Sequence, residues 1–98
     1  MALRPASRFL LRRVLLPPPA SYYRAQEVKL LGRAEWRSAR CPFHEDHRPS
    51  LRVRIENGAF RCMACGVRGH DVLGFHRRRR GLGFVDAARQ LGAFEVAQ

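Results

Sequence analysis

Two short stretches of the sequence determine its fold: CPFH at residues 41–44 and CMAC at residues 62–65. Each stretch begins and ends with a side chain that can bind a metal ion, and two residues separate these ends. A tight turn of this length directs both side chains to one point, at about the separation needed around a tetrahedral zinc ion. The sequence therefore predicts a zinc site whose ligands are Cys41, His44, Cys62 and Cys65.

The spacer between the two stretches has the length and pattern of one β-hairpin. It contains 17 residues, and apolar and charged residues alternate over residues 51–56, which is the period of a half-buried strand. Asn57-Gly58 follows, and both residues tolerate the positive φ angles of a tight turn. We therefore predict a hairpin over residues 51–61 that returns the second ligand pair to the first.

The predicted metal site is closed. Three thiolates and one imidazole fill a tetrahedral zinc ion and leave no position for water, so one structural zinc ion is expected and not a catalytic one. A chain of 98 residues buries a small core and commonly needs a metal, a disulfide or a partner for stability. The odd number of cysteines, three, argues against a disulfide framework. Zinc binding is expected to supply about 10 kcal/mol or more of apparent folding free energy.

Other interpretations of the histidines and cysteines remain. His47 could replace His44 as the fourth ligand, but the two-residue spacing favours His44. The cysteines could instead be small core residues, with His44 on the surface. His70 and His76 lie near the helix that follows and are expected to be ordinary surface or core residues.

The sequence on either side of the zinc stretches predicts further strands and helices. Residues 28–31 and 35–40 are predicted strands, the second with Trp36 on its buried face. Residues 71–80 and 84–91 have helical spacing, with Gly81 and Gly92 as breaks. The fold class predicted is a small α+β protein, a zinc ribbon of antiparallel β-hairpins with zinc knuckles, capped by two C-terminal helices.

The N-terminal segment differs in composition from the rest of the chain. Residues 1–20 are arginine-rich, contain no acidic residue and include three consecutive prolines at residues 17–19. They are predicted to be a disordered basic arm, with a targeting segment as the alternative. Residues 21–94 are the predicted domain and residues 95–98 a frayed tail. No apolar run is long enough to span a bilayer, so no membrane partner is expected.

The charge balance predicts an anionic partner. The chain has 19 basic and 8 acidic residues, a net charge of +11, and Lys29 is the single lysine. Arginine binds phosphate in a bidentate way and stacks on bases, so a small and strongly basic domain is typical of nucleic-acid binding. The alternative is that these charges form a solvated surface.

The two zinc stretches and their surroundings resemble the Cys-His-Cys-Cys zinc finger of DnaG-type bacterial DNA primases. The first knuckle and its loop match as CPFH at residues 41–44, then Asp46 and Pro49-Ser50, and the second as FRCMACG at residues 60–66. The helical end matches over residues 71–91. The resemblance covers roughly residues 28–92, although His47-Arg48 stands where the family commonly has Lys-Thr.

The resemblance implies a zinc-dependent DNA-binding module that binds single-stranded template in RNA primer synthesis and DNA replication. Polymerase chemistry requires carboxylates that hold magnesium, and the one adjacent acidic pair, Glu45-Asp46, lies beside the zinc site. No catalytic residue is therefore predicted, and the chain is at most the zinc-binding part of a primase that another subunit completes. The expected partners are single-stranded DNA and a separate primase polymerase or helicase, in the bacterial cytoplasm at the nucleoid. Small stand-alone versions of this finger are similar to proteins carried on phages and other mobile genetic elements.

A set of basic residues around the zinc site is predicted to contact DNA. Trp36 could stack on a base but is expected to lie in the core, and the Arg77–Arg80 run could bind phosphates or be solvated. Two other functions remain open. One is a zinc ribbon that recruits a replication partner through protein contacts, and the other is a mitochondrial replication factor, which depends on residues 1–20. The predicted DNA contacts are Arg37, Arg40, His47, Arg48, Arg52, Arg54, Arg61 and Arg68.

Overall fold

The computed structural model describes residues 9–96 of the chain. Four short strands form an antiparallel sheet, and a separate pair of strands joins the two ends of the described chain. In chain order the elements are β1 (Phe9–Leu11), a 3-10 helix (Arg13–Leu15), α1 (Pro19–Ala25), β2 (Trp36–Ala39), β3 (Leu51–Arg54), β4 (Phe60–Cys62), β5 (Arg68–Gly69), α2 (Val72–Arg80), α3 (Phe84–Gln90) and β6 (Phe94–Val96). The larger sheet has the order β2-β3-β4-β5. The predicted fold class, a small α+β zinc ribbon with two C-terminal helices, is confirmed.

The predicted hairpin between the two ligand pairs is present as β3 and β4. Its loop is longer than a two-residue turn, because the strands end at Arg54 and resume at Phe60. Gly58 has a φ of 81°, and a Cβ there would lie 2.9 Å from Cγ1 of Val72. The hydroxyl of Tyr23 donates to the Gly58 carbonyl at 2.7 Å. Gly58 is therefore required both by its backbone conformation and by the close approach of α2.

The main core is a cluster of aromatic rings between the sheet, α1 and α2. Phe75 lies at its centre and contacts Tyr23, Phe60 and Phe43 edge-on, with ring centroids 4.8, 5.2 and 5.1 Å away. Edge-to-face pairs at these distances are favourable beyond the apolar area that they bury. Cys41 and Cys62 belong to the same buried cluster, so the core is continuous with the predicted metal site.

The two C-terminal helices begin and end within one residue of their predicted bounds. Asp71 caps α2 by accepting a hydrogen bond from the Gly74 amide at 3.0 Å, and Gly81 ends the helix in the left-handed conformation. α3 packs on α2 through a second, smaller apolar cluster. This cluster is centred on Leu73, Ala87, Ala88 and Ala93.

The segment before α1 differs from the disordered arm expected for residues 1–20. Residues 9–11 pair with residues 94–96 in antiparallel register, and Leu11 and Leu16 pack against the second apolar cluster. This pairing joins residues more than 80 positions apart, so no local pattern in the sequence indicates it. Residues 1–8 and 97–98 lie outside the described residues, and the division of the chain at residues 21 and 94 stays a prediction.

One predicted strand is absent from the described chain. Residues 28–31 were expected to form a strand, but they form a single bridge, between Leu31 and Ser38. Val28 is buried in the main core, whereas Leu31 is exposed, so this apolar run leaves the core and reaches the sheet only at its last residue. None of the helices in residues 9–96 has the length and apolar character that a membrane-spanning segment needs.

Candidate metal centre and the open face of the sheet

The first knuckle follows β2 and is fixed by hydrogen bonds to one carboxylate. Cys41 is buried, and its amide donates to Oδ2 of Asp46 at 2.9 Å. The same oxygen accepts from the Ser50 amide at 3.1 Å, and Oδ1 accepts from the Ser50 hydroxyl at 2.9 Å. Asp46 therefore joins the first knuckle to the start of β3. The backbone amide of Cys41 and then those bonds from Ser50 lower the pKa of Asp46 to about 2, so this carboxylate is ionised at neutral pH.

The second knuckle is a turn that directs amide groups at a sulfur atom. Cys62 ends β4, and its Sγ accepts hydrogen bonds from the amides of Ala64 at 3.4 Å and Cys65 at 3.3 Å. Gly66 closes the turn with a φ of 82° and donates to the Cys62 carbonyl at 3.0 Å. Donors aimed at Sγ stabilise a thiolate there, which is the form that binds zinc.

The four predicted ligand atoms meet at one point. The thiol sulfurs of Cys41, Cys62 and Cys65 and a ring nitrogen of His44 all lie within 4.8 Å of one another. The sulfurs of Cys41 and Cys65 are 4.0 Å apart, and Nε2 of His44 is 3.3 Å from the sulfur of Cys62. Around a tetrahedral zinc ion the corresponding distances are about 3.8 Å between two sulfurs and about 3.6 Å between sulfur and nitrogen. The arrangement therefore fits zinc in both donor type and spacing.

The orientation of His44 also suits a metal ligand. Nδ1 donates to the Glu45 carbonyl at 2.9 Å, so Nε2 is the ring nitrogen that faces the thiols and offers its lone pair to a metal ion once the proton shared with Cys62 is released. A second hydrogen bond of this kind is what fixes the tautomer of metal-binding histidines. His47, the alternative ligand, is exposed and lies 3.7 Å from the Glu45 carboxylate, outside the four-residue cluster.

The thiols of the site have different proton affinities. Burial raises the pKa of Cys41 to about 12. Burial acts on Cys62 in the same direction, but hydrogen bonds from Cys65, Ala64 and His44 outweigh it and lower the pKa of Cys62 to about 6. The hydrogen bond to Cys62 raises the pKa of His44. Because zinc binds the thiolate form, metal binding releases the proton that Cys41 holds at neutral pH.

The open face of the sheet, which is the face turned away from the aromatic core, carries a row of arginines. Arg52 on β3 lies directly opposite Arg61 on β4, and Arg61 lies directly opposite Arg68 on β5. Directly opposed residues of an antiparallel pair point to the same face. The residues between them, Leu51, Val53, Phe60 and Cys62, are buried on the other face. The three arginines thus form a continuous basic row next to the second knuckle.

Trp36 lies on the open face and not in the core, which corrects the prediction for this residue. It is directly opposite Arg54 and is 46% exposed. Together with Met63, which is 59% exposed, it lines a concavity of about 460 Å³ that Arg52, Arg61 and Arg68 also border. The strand phase explains the error: Ala39 is buried, so residues of the opposite parity on β2, including Trp36, point outward. Met63 was not predicted as a site residue, and only its place inside the second knuckle could have indicated it.

The other predicted DNA contacts lie in different settings. Arg37 is opposite Val53 and so points to the other face of the sheet from the arginine row, where its side chain donates to the Ala34 carbonyl. Arg54 is on the open face but forms ion pairs with Glu35 and, at 2.9 Å, with Glu56. The structure thus separates Arg37 from the open face and gives Arg54 two acidic partners. Arg40, His47 and Arg48 are exposed next to the first knuckle.

His70 and His76 are a surface and a core residue. His70 is exposed, and His76 is buried between two hydrogen-bond partners. Its Nε2 donates to the side-chain oxygen of Gln90 at 2.8 Å, and its Nδ1 accepts from the Tyr22 hydroxyl at 2.9 Å. His76 therefore links α1, α2 and the end of α3 and takes no part in the metal site.

Comparison with known proteins identifies the family. Residues 24–97 match the CHC2 zinc finger of DnaG-type zinc ribbons. Gene 58 protein of Mycobacterium phage D29 is 38% identical over 73 residues, which cover 74% of this chain and 46% of the phage protein. The DNA primase of Lactococcus lactis subsp. lactis (strain IL1403) is 41% identical over 54 residues, 55% of this chain and 8% of the primase. The DNA primase of Myxococcus xanthus is 38% identical over 65 residues, 66% of this chain and 10% of the primase.

This chain spans less than half the length of the phage relative and a tenth or less of these two primases. The match nevertheless covers most of the chain and includes both ligand pairs. The four side chains brought together here have the composition and spacing of one zinc site. The chain therefore belongs to the CHC2 zinc finger family of DnaG-type primases, as the resemblance of its motifs predicts, and is a zinc-binding module of the primase type.

Proposed function

We propose that this protein binds single-stranded template DNA through the open face of its sheet and acts in RNA primer synthesis. The observation that carries the proposal is the row of Arg52, Arg61 and Arg68 beside the exposed ring of Trp36. Single-stranded DNA is held by basic grooves that follow the phosphates and by planar side chains that stack on bases. The open face offers both kinds of group in one concavity of about 460 Å³.

The zinc ion has a structural part in this proposal. Cys62 ends β4, the strand that carries Arg61, and the second knuckle connects β4 to β5, which carries Arg68. The metal site therefore holds the two strands in the register that aligns their arginines. On this basis we expect DNA binding to depend on zinc although no ligand residue contacts DNA.

The polymerase chemistry of primer synthesis is, on this proposal, supplied by another subunit. Several acidic side chains are engaged in structural contacts: Glu35 and Glu56 pair with Arg54, and Asp71 pairs with Arg13 and caps α2. Within residues 9–96, the Cys-His-Cys-Cys cluster is the one group of three or more His, Cys, Asp or Glu side chains placed to hold a metal. We propose a separate primase polymerase or a helicase as the partner, in the bacterial cytoplasm, and the phage relative supports a mobile-element setting.

The test is the fluorescence anisotropy of a labelled single-stranded oligonucleotide titrated with the zinc-loaded protein. Arg61→Gln and Arg37→Gln each remove one charge from the same sheet, but from opposite faces, so they form a matched pair. We expect Arg61→Gln to weaken binding and Arg37→Gln to leave it nearly unchanged. Trp36→Ala should weaken the free energy of oligonucleotide binding by about 1–3 kcal/mol, the usual contribution of one stacked base. Equal effects of the two arginine variants would contradict the proposal.

A second candidate function uses the same surface. Exposed Trp, Met and Arg side chains are enriched at protein interfaces, and Trp36 and Met63 are exposed beside the arginine row. A zinc ribbon that recruits an acidic replication protein would therefore present a similar face. If the oligonucleotide does not bind but an acidic partner does, and Trp36→Ala abolishes that binding, this second function is the correct one.

A further inference from the structure

The arginine row continues beyond the sheet onto α2. Arg68, at the end of the row, also borders a second concavity of about 350 Å³, whose other lining residues are Gly74, Arg77, Arg78 and Leu82. β5 leads directly into α2 through residues 70–71, which places these two elements side by side. Arg68 thus belongs to both concavities and connects them.

The charges in this second concavity are available to an external anion. Arg68, Arg77 and Arg78 are exposed, and none of the acidic side chains that the structure describes lies within salt-bridge distance of them. Three guanidinium groups that share one hollow repel each other unless an anion lies between them. Phosphate is well suited to guanidinium groups, because two donors can engage two of its oxygens.

We propose that Arg68, Arg77 and Arg78 form a phosphate-binding site that takes the backbone of the DNA strand as it leaves the sheet at β5. This inference rests on the proposed function and adds the path of the bound DNA, which runs from Trp36 across the arginine row to α2. Bases are contacted near Trp36, whereas the site on α2 contacts phosphates alone and is independent of sequence. The site therefore lengthens the stretch of DNA that the domain covers.

The Arg77–Arg80 run provides its own control. Arg80 donates to the side chain of Gln26 at 3.1 Å, and the charges of Arg80 and Arg79 act on the Tyr22 hydroxyl of α1. Arg79 and Arg80 therefore lie towards α1, whereas Arg77 and Arg78 border the hollow beside β5. The variants R77Q/R78Q and R79Q/R80Q remove the same charge from the same helix turn, and Gln has nearly the helix propensity of Arg.

The experiment compares the two double variants, in the full zinc-loaded chain, with oligonucleotides of about 4 and about 12 nucleotides, a short and a longer length within the range of common site sizes. For the longer strand R77Q/R78Q should bind about tenfold more weakly, as expected for two lost ion pairs. Its slope of log affinity against log salt should be shallower by about 1.4, from two phosphate contacts. R77Q/R78Q should bind the short oligonucleotide as tightly as the wild type does. R79Q/R80Q should bind both oligonucleotides as tightly as the wild type does. Zinc content and thermal unfolding of each variant verify the fold.

The outcomes separate the two proposals. If wild-type protein binds neither strand, both the proposed function and the site on α2 are wrong. If Arg61→Gln weakens binding but the two double variants behave alike, the function stands and the site on α2 is refuted. If R77Q/R78Q loses the same factor of affinity for the short and the long oligonucleotide, the site on α2 is also refuted, because the loss then reflects a general effect of charge. If R77Q/R78Q loses binding of a nucleoside triphosphate but keeps its DNA binding, the site on α2 binds the phosphates of a nucleotide, and the proposed path of the DNA strand is wrong.

Discussion

The two faces of the four-stranded sheet are made from alternate residues of the same strands and have opposite properties. On β4, Phe60 and Cys62 are buried, whereas Arg61 between them is exposed. The inner face joins the aromatic core to the zinc site, and the open face aligns three arginines across three strands. The inner face therefore determines stability, and the open face carries the like charges of the arginine row, which do not stabilise the fold.

The difference shows how a small zinc domain can combine a stable fold with a highly charged surface. Apolar burial alone gives little stability at this size, so the metal must supply much of it. Directly opposed like charges destabilise a sheet. The arginine row is thus tolerated because the metal and the aromatic rings stabilise the other face of the same strands.

The largest expected effect comes from loss of the metal. Cys62→Ser removes one ligand of the zinc ion, and a chelator removes the ion itself. In either case the two knuckles are no longer joined, and about 10 kcal/mol or more of apparent folding free energy is lost. We expect residues 41–92 to unfold. Metal analysis together with circular dichroism would show this, and a compact, folded apo-protein would contradict a structural role for zinc.

Phe60→Ala should have the next largest effect. The ring is 1% exposed and lies 5.2 Å from the ring centroid of Phe75. Removal of a buried phenyl ring usually lowers the free energy of unfolding by about 3–5 kcal/mol. Denaturant unfolding at a fixed zinc concentration would measure this loss. A loss below 1 kcal/mol, as for a typical surface residue, would mean that the metal alone determines the stability of the inner face.

Gly69→Ala tests how closely the inner face is packed. A Cβ at this position would lie 2.5 Å from Cε1 of Phe60, which is a ring atom within the packed core. Either the ring or β5 must move, and overpacking of this kind commonly costs about 1–3 kcal/mol. The variant should lose stability but keep its zinc. Gly83→Ala is a suitable control, because nothing lies within 4 Å of the added carbon there.

Much of the inner face could be predicted from the sequence. The spacing of the cysteines and the alternation of residues 51–56 are local patterns, and both follow directly from the geometry of knuckles and strands. The role of Asp46 was not predicted. Its hydrogen bonds to Cys41 and Ser50 depend on the path of the loop, although an Asp four residues before a Ser at the start of a strand was visible in the sequence.

The open face and the chain ends were harder to predict. The size and apolar character of Trp36 favour the core, because such rings usually are buried, and its exposure follows only from the phase of β2 against β3. The charge of Arg37 alone predicts a DNA contact like those of the other arginines, but its position in β2, opposite Val53, places it on the other face of the sheet. The pairing of residues 9–11 with residues 94–96 is a long-range contact, which local patterns cannot reveal.

The smallest expected effect comes from the open face, and its sign is the informative part. Arg61 lies between Arg52 and Arg68 in directly opposed pairs, so Arg61→Thr should raise the free energy of unfolding by about 0.2–1 kcal/mol. Salt should do the same for the wild type, because a change from about 0.01 M to about 0.1 M shortens the Debye length from about 30 Å to about 10 Å. Arg37→Thr is the charge-matched control, since Arg37 faces Val53 and has no opposed arginine. Thermal unfolding at the two salt concentrations should therefore show a smaller salt effect in Arg61→Thr than in Arg37→Thr. If Arg61→Thr instead lowers the free energy of unfolding, the arginine row stabilises the fold. Binding of a polyanion is then not needed to account for the row.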